Sequence, residues 1–137
     1  MNEPRQKIML TLGEGGCYLL SMVHIAEDLA GHRIDAVKAY LDLVRVGILR
    51  EDGYIKDASA AMEALAGGQW WVRKEGPDYT PGNGEFEILR FERPTPKMIY
   101  SHFVLGNGQG QVKYDPLGSS QTVAGGELVS KRILKMG

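Results

Sequence analysis

The sequence predicts a single α+β domain, because apolar residues recur at helical spacing in the first half of the chain and at strand spacing in the second. At 137 residues the chain has the length of one domain and can bury a core without disulfide bonds. We therefore expect one domain over residues 1–137, with 1–12 as a lead segment. Its N-terminal helical half should pack on a C-terminal antiparallel sheet.

The predicted helices are bounded by glycines and by aspartates that suit the first position of a helix. Apolar residues between Leu19 and Ala30 recur at helical spacing, and the pair Asp52-Gly53 predicts a small hairpin. The expected elements are, in order, a glycine-rich turn at 13–16, a helix that Gly31 ends, a second helix over 37–44 that Gly47 closes, and a third from its N-cap Asp57 to Leu65.

The second half contains short runs of aromatic and branched residues separated by Gly- and Pro-rich turns, the pattern of strands. In the run 86–91 apolar and charged residues occupy both odd and even positions, so neither face is purely apolar. The turn Gly106-Asn107-Gly108 predicts a hairpin. We expect strands near 70–72, 86–91, 99–105, 111–114, 121–123 and 128–134.

The composition narrows the function classes. The 16 basic residues nearly equal the 17 acidic ones, and the net charge is −1. Proteins that bind nucleic acid through its phosphates usually carry a basic excess, so we expect no nucleic-acid partner. A single cysteine excludes an internal disulfide bond and favours a reducing compartment. No N-terminal apolar run is long enough for a secretion signal or a membrane span, which predicts a cytoplasmic protein without a membrane partner.

Cys17 is the candidate nucleophile, because it follows Gly15-Gly16 at the start of the first long helix. The free N–H groups and the dipole of a helix N-terminus stabilise a thiolate, which is the nucleophilic form of cysteine. The two glycines leave room for a substrate. A lone cysteine is otherwise a small core residue, so its interpretation depends on whether a base can reach it.

His102 is the candidate base. It lies in the predicted strand 99–105, and a strand is a rigid mount for a catalytic group. The turn after that strand should bring Asp115, at the end of the next strand, close to the imidazole. A carboxylate beside an imidazole fixes its tautomer and stabilises its cation. The sequence therefore predicts a site made of Cys17, His102 and Asp115.

The other two histidines have structural interpretations. His24 is seven residues from Cys17 on the same helix, about 10 Å away at 1.5 Å per residue, and should pair with Asp28 one turn on. His32 follows Gly31 at a helix end, where a cation suits the dipole. One cysteine and three widely spaced histidines form no ligand cluster, so we expect neither a metal ion nor another cofactor.

At these residues the sequence resembles the papain-like cysteine hydrolases, in which a helix-opening Cys, a His on a strand and an Asp or Asn on the next strand form the site. The segments 16–22, 102–104 and 114–116 resemble those three parts. The likeness spans roughly 13–134 and is nearest to small bacterial and phage members of the bacteriocin-leader-processing type, with a tail over 115–132 that resembles a phage-associated branch. It implies a papain-like fold.

The resemblance has one departure. These enzymes usually carry an oxyanion-hole Gln about six residues before the Cys, where this sequence has Thr11. The hole would then use the Cys17 amide with Gln6 or Thr11, and losing one such donor typically costs ~10²–10³ in rate. Tryptophans paired on a strand are more often core than ligand contacts. With that alternative open, the candidate substrate-binding residues are Gly15, Gly16, Trp70, Trp71 and Ser101.

The sequence thus predicts a thiol-dependent amide or peptide hydrolase acting on a peptide or a peptidoglycan-like substrate. Two alternatives stay open. The first is a catalytically inactive papain-like domain of phage or bacterial origin that serves in binding. The second is a winged-helix-like nucleic-acid-binding module over 36–55, in which a DNA-reading helix would need more donors than Lys38 and Arg45 supply. No motif indicates the oligomeric state.

Overall fold

The computed structural model describes residues 5, 8 and 14–137, with only the backbone for Glu14 and Gly15. A mixed α+β architecture is confirmed, with helices packed against a five-stranded antiparallel sheet. The elements are α1 (Glu14–Ala30), α2 (Ala36–Arg45), α3 (Ala58–Ala66), β1 (Trp70–Glu75), β2 (Glu85–Pro94), β3 (Ile99–Gly106), β4 (Val112–Tyr114), α4 (Gln121–Gly125) and β5 (Glu127–Met136).

Helix α1 is the buried centre of the helical half and makes most of its sheet contacts with β3. The predicted turn at 13–16 is wrong for Glu14–Gly16, which already belong to α1. Two glycines cost a helix about 1 kcal/mol each, and packing offsets that cost because Gly16 and the apolar side chains that follow are buried. The helix ends as predicted at Gly31, whose φ of 75° suits glycine.

The two shorter helices begin at the aspartates that cap them. The Asp35 side chain accepts a hydrogen bond from Lys38 N, and the predicted N-cap Asp57 accepts one from Ala60 N. Between these helices the predicted Asp52-Gly53 turn is confirmed as a narrow hairpin, with one bridge between Leu49 and Ile55.

The sheet has the strand order β1-β5-β2-β3-β4, so the last strand inserts between the first two. All its pairs are antiparallel. The predicted 106–108 turn joins β3 to β4 as expected. β4 is the shortest strand and lies at one edge, whereas β1 forms the other edge.

The predicted strand at 121–123 is wrong, because these residues form α4. Ser120 caps this helix by accepting a hydrogen bond from Thr122 N, and Gly126 follows its end. The β-branched pair Thr122-Val123 favours a strand only weakly. A side-chain cap at the start of a segment is the stronger local signal for a helix.

The two faces of the sheet are both buried but differ in composition. Side chains alternate across a strand, so Phe103 and Leu105 of β3 share one face with Ile88 of β2 and pack with α1 in the main core. The opposite face carries His102 and Val104. Its buried side chains also include Glu87, Leu89, Lys131 and Ile133.

Candidate active site

His102 and Asp115 form a hydrogen-bonded pair at the edge of the sheet. Nε2 of His102 lies 2.7 Å from Oδ1 of Asp115, and each side chain is only 5 % exposed. The imidazole is mounted on β3, and the carboxylate follows the end of β4. Since Nε2 faces a carboxylate oxygen, it carries the proton, and Nδ1 is then the basic nitrogen of the neutral ring.

The turn after β4 holds Asp115 in place. Its Oδ1 also accepts a hydrogen bond from Leu117 N at 2.8 Å, and its carbonyl accepts one from Gly118 N at 2.8 Å. Pro116 cannot donate a backbone hydrogen bond, so the side chain of Asp115 reaches the next available N–H, an arrangement common for Asp at the start of a turn. The carboxylate is thereby oriented from both sides before any ligand binds.

Cys17 meets β3 at the peptide bond that follows His102. Its Sγ accepts a hydrogen bond from Phe103 N at 3.1 Å, and the side chain is 0 % exposed. Cys17 is the fourth described residue of α1. Its carbonyl accepts from Ser21 Oγ at 2.8 Å. The sulfur is therefore fully buried and accepts one backbone N–H, a hydrogen bond that either a thiol or a thiolate can accept.

Aromatic rings cover the contact between α1 and β3. The ring of Tyr18 stacks on that of Phe103 with centroids 4.6 Å apart, and Arg132 lies 5.5 Å from the same Phe103 centroid. Burial raises the pKa of Tyr18 to about 12, although the charge of Arg132 opposes the shift. The hydroxyl is therefore neutral at pH 7 and cannot act as a base there.

The turn between β3 and β4 rests on a buried ion pair. Glu87 of β2 accepts hydrogen bonds from the backbone N–H groups of Gly108 and Gly110, and its other oxygen accepts from Nζ of Lys131. Sequence reasoning missed this pair. The available signals were a glutamate at a position that alternation assigns to a buried strand face, and three glycines in the 106–110 turn.

The remaining predicted residues lie at different distances from the pair. Ser101 is next to His102, and its Oγ accepts a hydrogen bond from Arg90 at 2.9 Å. Gly16 is buried beside Cys17 in α1, and Gly15 precedes it there. Gln6 and Thr11 lie outside the described residues.

The two tryptophans are not brought to the pair. They lie on β1, which β5 and β2 separate from β3, so about 14 Å of sheet lies between them and His102 at the usual strand spacing. Trp70 is a core residue whose ring N–H donates to the Gly67 carbonyl. Trp71 is 52 % exposed at the far edge of the sheet.

A cleft of ≈ 430 Å³ borders Asp115, and Cys17 is not part of its lining. His24 lines it, stacked on the ring of Tyr114 at 4.2 Å and 3.4 Å from the Asp28 carboxylate, the predicted pairing. Arg5 closes it from the lead segment by pairing with Glu27. Burial alone would raise the pKa of Glu27, but hydrogen bonds from Arg5 and from the Ile34 N–H lower it.

Within residues 5, 8 and 14–137, no three His, Cys, Asp or Glu side chains come together as a set that could hold a metal ion. In the same part of the chain, none of the helices combines the length and the apolar character needed to cross a membrane.

Fold and geometry define an α+β protein with a buried His–Asp pair on β3 and a buried thiol of α1 that accepts the backbone N–H of the residue after that histidine. A family model described as "Protein of unknown function, DUF261" matches residues 1–136, so the chain belongs to the DUF261 family. Comparison with the curated proteins gave no significant match, and comparison with solved structures gave none either.

Proposed function

We propose that this protein is a thiol-dependent amide hydrolase with a papain-like site, in which Cys17 is the nucleophile, His102 the base and Asp115 the residue that orients the base. The observation that carries the proposal is the 2.7 Å bond between His102 Nε2 and Asp115, one peptide bond away from the contact of Cys17 Sγ with Phe103 N. These residues come from α1, from β3 and from the residue that follows β4, in the order that the papain-like resemblance implies.

The two ring nitrogens of His102 have different roles in the proposed mechanism. With Nε2 bound to Asp115, Nδ1 is the nitrogen left to take the thiol proton of Cys17. Because the His102 side chain lies on the face of β3 opposite α1, this transfer requires the same rearrangement that exposes Sγ to a substrate. The carboxylate of Asp115 then stabilises the imidazolium that forms. The N–H of Phe103 stabilises the thiolate through the hydrogen bond it donates to Sγ.

The reaction proceeds by acyl transfer. The thiolate adds to the substrate carbonyl, the C–N bond breaks as the imidazolium returns its proton to the leaving amine, and a thioester on Cys17 remains. His102 next removes a proton from water, hydroxide adds to the thioester carbonyl, and the C–S bond breaks to release a carboxylic acid and the thiol. No electrons are transferred between molecules, and no cofactor takes part. The substrate class is an amide of a peptide or of a peptidoglycan stem.

Substrate access requires a change around the thiol. Cys17 is 0 % exposed, so attack on a carbonyl needs the cover of Sγ to open. Closed active sites of this kind open on the microsecond to millisecond timescale in many enzymes. A small electrophile that reaches Cys17 in the folded protein would report on that opening.

The test is the pH dependence of iodoacetamide alkylation at Cys17, the only thiol in the chain. If a thiolate–imidazolium pair forms, the midpoint of the pH–rate profile lies below the value of about 8.5 that is ordinary for a cysteine. His102→Ala should return the midpoint to that ordinary range. Urea-unfolded protein supplies the reference rate for the same thiol without its surroundings.

His24→Ala is the matched control, because His24 lies on α1 with Cys17 yet stacks on Tyr114 and pairs with Asp28. We expect it to keep the wild-type profile. If His102→Ala also keeps it, His102 is not the base for Cys17 and the hydrolase proposal fails. Asp115→Asn should raise the midpoint less than His102→Ala does, since the imidazole remains.

The second candidate function is a binding domain that retains a papain-like site without catalysis. The full burial of Cys17 favours it, because an inactive thiol needs no access. In that case the folded protein resists iodoacetamide across the pH range, while the unfolded protein reacts normally. Helix α2 does not support a nucleic-acid-binding role, because its two basic side chains, Lys38 and Arg45, both form ion pairs with Asp42.

A further inference from the structure

We propose that Glu87 is a positioning residue for the His102–Asp115 pair. Its carboxylate fixes the turn 106–111 and, through that turn, the strand that presents Asp115 to the imidazole. The geometric part of this inference stands by itself, whereas its consequence for catalysis rests on the proposed function.

Glu87 accepts three strong hydrogen bonds inside the protein. Oε2 accepts from Gly108 N at 2.8 Å and from Gly110 N at 2.9 Å, while Oε1 accepts from Lys131 Nζ at 2.8 Å. The Glu87 side chain is 0 % exposed and that of Lys131 is 4 % exposed. Lys131 Nζ donates in addition to the Tyr79 carbonyl at 2.8 Å. The carboxylate thus binds two backbone amides of the turn from a fully buried position.

The turn is shaped around this carboxylate. A Cβ at Gly106 would lie 2.5 Å from Oε2 of Glu87, so only glycine leaves room for it there. Gly108 and Gly110 have φ values of 88° and 80°, which direct their N–H groups to the same oxygen at little conformational cost. The Asn107 side chain closes the turn by accepting from the N–H groups of Gln109 and Gln111.

Asp115 depends on the turn because β4 is too short to hold itself. β4 has three residues and two ladder pairs with β3, Leu105 with Tyr114 and Gly106 with Val112, with a register shift between them. Strands in globular proteins usually have five or six residues, and the register of a hairpin is set by its turn. A displaced turn would therefore displace Asp115, whose bond to His102 weakens steeply beyond normal hydrogen-bond length.

A carboxylate is the group that this position requires. It offers two oxygens that accept and no hydrogen that donates, which matches three donors from Lys131, Gly108 and Gly110. In Glu87→Gln one oxygen becomes an NH₂ group, which would face either the ammonium or the two amides. The isosteric change therefore loosens the turn without altering the volume of the side chain.

The test follows the Nε2 proton of His102 by NMR, through its chemical shift and its exchange with solvent. In Glu87→Gln we expect exchange at least about tenfold faster than in the wild type, the factor for weakening one hydrogen bond to a charged group. Glu85→Gln is the control, because Glu85 begins the same strand and bonds Arg73 and Tyr79 instead of the turn 106–111. It should leave the Nε2 proton unchanged, and an equal change in both variants would overturn the inference.

Two further measurements decide the case if Glu87→Gln does not fold. The double variant Glu87→Gln/Lys131→Met removes the unpaired ammonium, and a wild-type Nε2 signal in that folded variant would contradict the inference. In the wild type itself, the Nε2 proton and the Gly108 and Gly110 amides should report the same opening free energy. A Nε2 proton that opens about tenfold more often than both amides would show that the pair does not depend on the turn.

These results separate the inference from the proposed function. The Nε2 proton reports on the His102–Asp115 bond whether or not Cys17 is reactive. If Glu87→Gln speeds the exchange of this proton while His102→Ala leaves iodoacetamide alkylation unchanged, the positioning role stands and the hydrolase proposal fails. If His102→Ala changes alkylation while Glu87→Gln leaves the exchange of the Nε2 proton unchanged, the hydrolase proposal stands and the positioning role fails.

Discussion

The two faces of β3 are buried to a similar degree but use different chemistry. On the face toward α1, Phe103 and Leu105 pack in an apolar core with Ile88. The opposite face carries His102 and, further along the strands, the buried charged pair of Glu87 and Lys131. The difference lies in what covers each face.

A helix satisfies its own backbone hydrogen bonds, so α1 needs only apolar partners from the sheet. The opposite face contacts chain connections, whose backbone groups need partners from elsewhere, and the only other helix that packs on β2 and β3 among the described residues is the five-residue α4. Lys131 donates a hydrogen bond to the Tyr79 carbonyl, and Glu87 accepts hydrogen bonds from the N–H groups of Gly108 and Gly110. Buried charges on this face therefore attach loops to the sheet, and the strand that follows one such loop, β4, leads directly to Asp115.

The largest expected effect comes from breaking the charged pair on the polar face. Lys131→Met leaves the buried carboxylate of Glu87 without its counter-charge, and removal of one partner of a buried pair costs about 3–5 kcal/mol. We expect the free energy of unfolding in urea to fall by that amount.

The compensating variant sharpens this result. Replacing both charges, in Lys131→Met/Glu87→Leu, removes the unpaired charge but leaves the N–H groups of Gly108 and Gly110 without their acceptor. It should therefore recover only part of the loss. Full recovery would mean that the loop does not need the carboxylate, and a loss below about 1 kcal/mol in Lys131→Met would mean that the ammonium contributes little.

The helical half and the hairpins could be predicted from the sequence because their signals are local. Asp57 begins one helix and Gly31 ends another. Both do so through local backbone geometry that depends little on the rest of the fold. The segment 121–123 was predicted wrongly since three residues carry too little periodicity to outweigh a serine cap. Glu14–Gly16 were predicted wrongly because the burial that stabilises a glycine-rich helix start is a tertiary effect.

For the site, the sequence could predict that a turn brings Asp115 toward His102, since a hairpin pairs neighbouring strands. It could not predict the contact of Cys17 with Phe103 N, which joins residues 86 positions apart. Nor could it pair Glu87 with Lys131, because they lie on strands that are far apart in the sequence and become neighbours only through the order of the sheet. Contacts between strands that are not consecutive in the sequence depend on the order of strands in the sheet. The spacing of strands along the sequence does not encode that order.

A smaller effect is expected at Tyr18, on the α1 side of β3. Burial raises its pKa to about 12 from a reference value of 10.0, with Arg132 opposing. An acid whose folded pKa is raised is stabilised in its neutral form, so this contribution is complete below pH 10 and is lost between about pH 10 and pH 12. Two pKa units correspond to about 2–3 kcal/mol.

Tyr18→Phe isolates that contribution, because the phenyl ring can still stack on Phe103. The difference in unfolding free energy between wild type and variant should be constant up to pH 10 and then shift by about 2–3 kcal/mol against the wild type by pH 12. Urea titrations at four or five pH values measure it. Parallel curves over the whole range would show that the Tyr18 hydroxyl reaches solvent.

The smallest effect is expected from a change confined to the apolar face. Ile88→Val removes one methylene from the core against α1 and should cost about 1 kcal/mol in urea unfolding. Because Ile88 touches the loops of the other face only through the strand backbone, exchange of the His102 Nε2 proton by local opening should stay at the wild-type rate. Faster local exchange in Ile88→Val would show that packing under α1 also sets the geometry of the His102–Asp115 pair, and the two faces could then no longer be treated as independent.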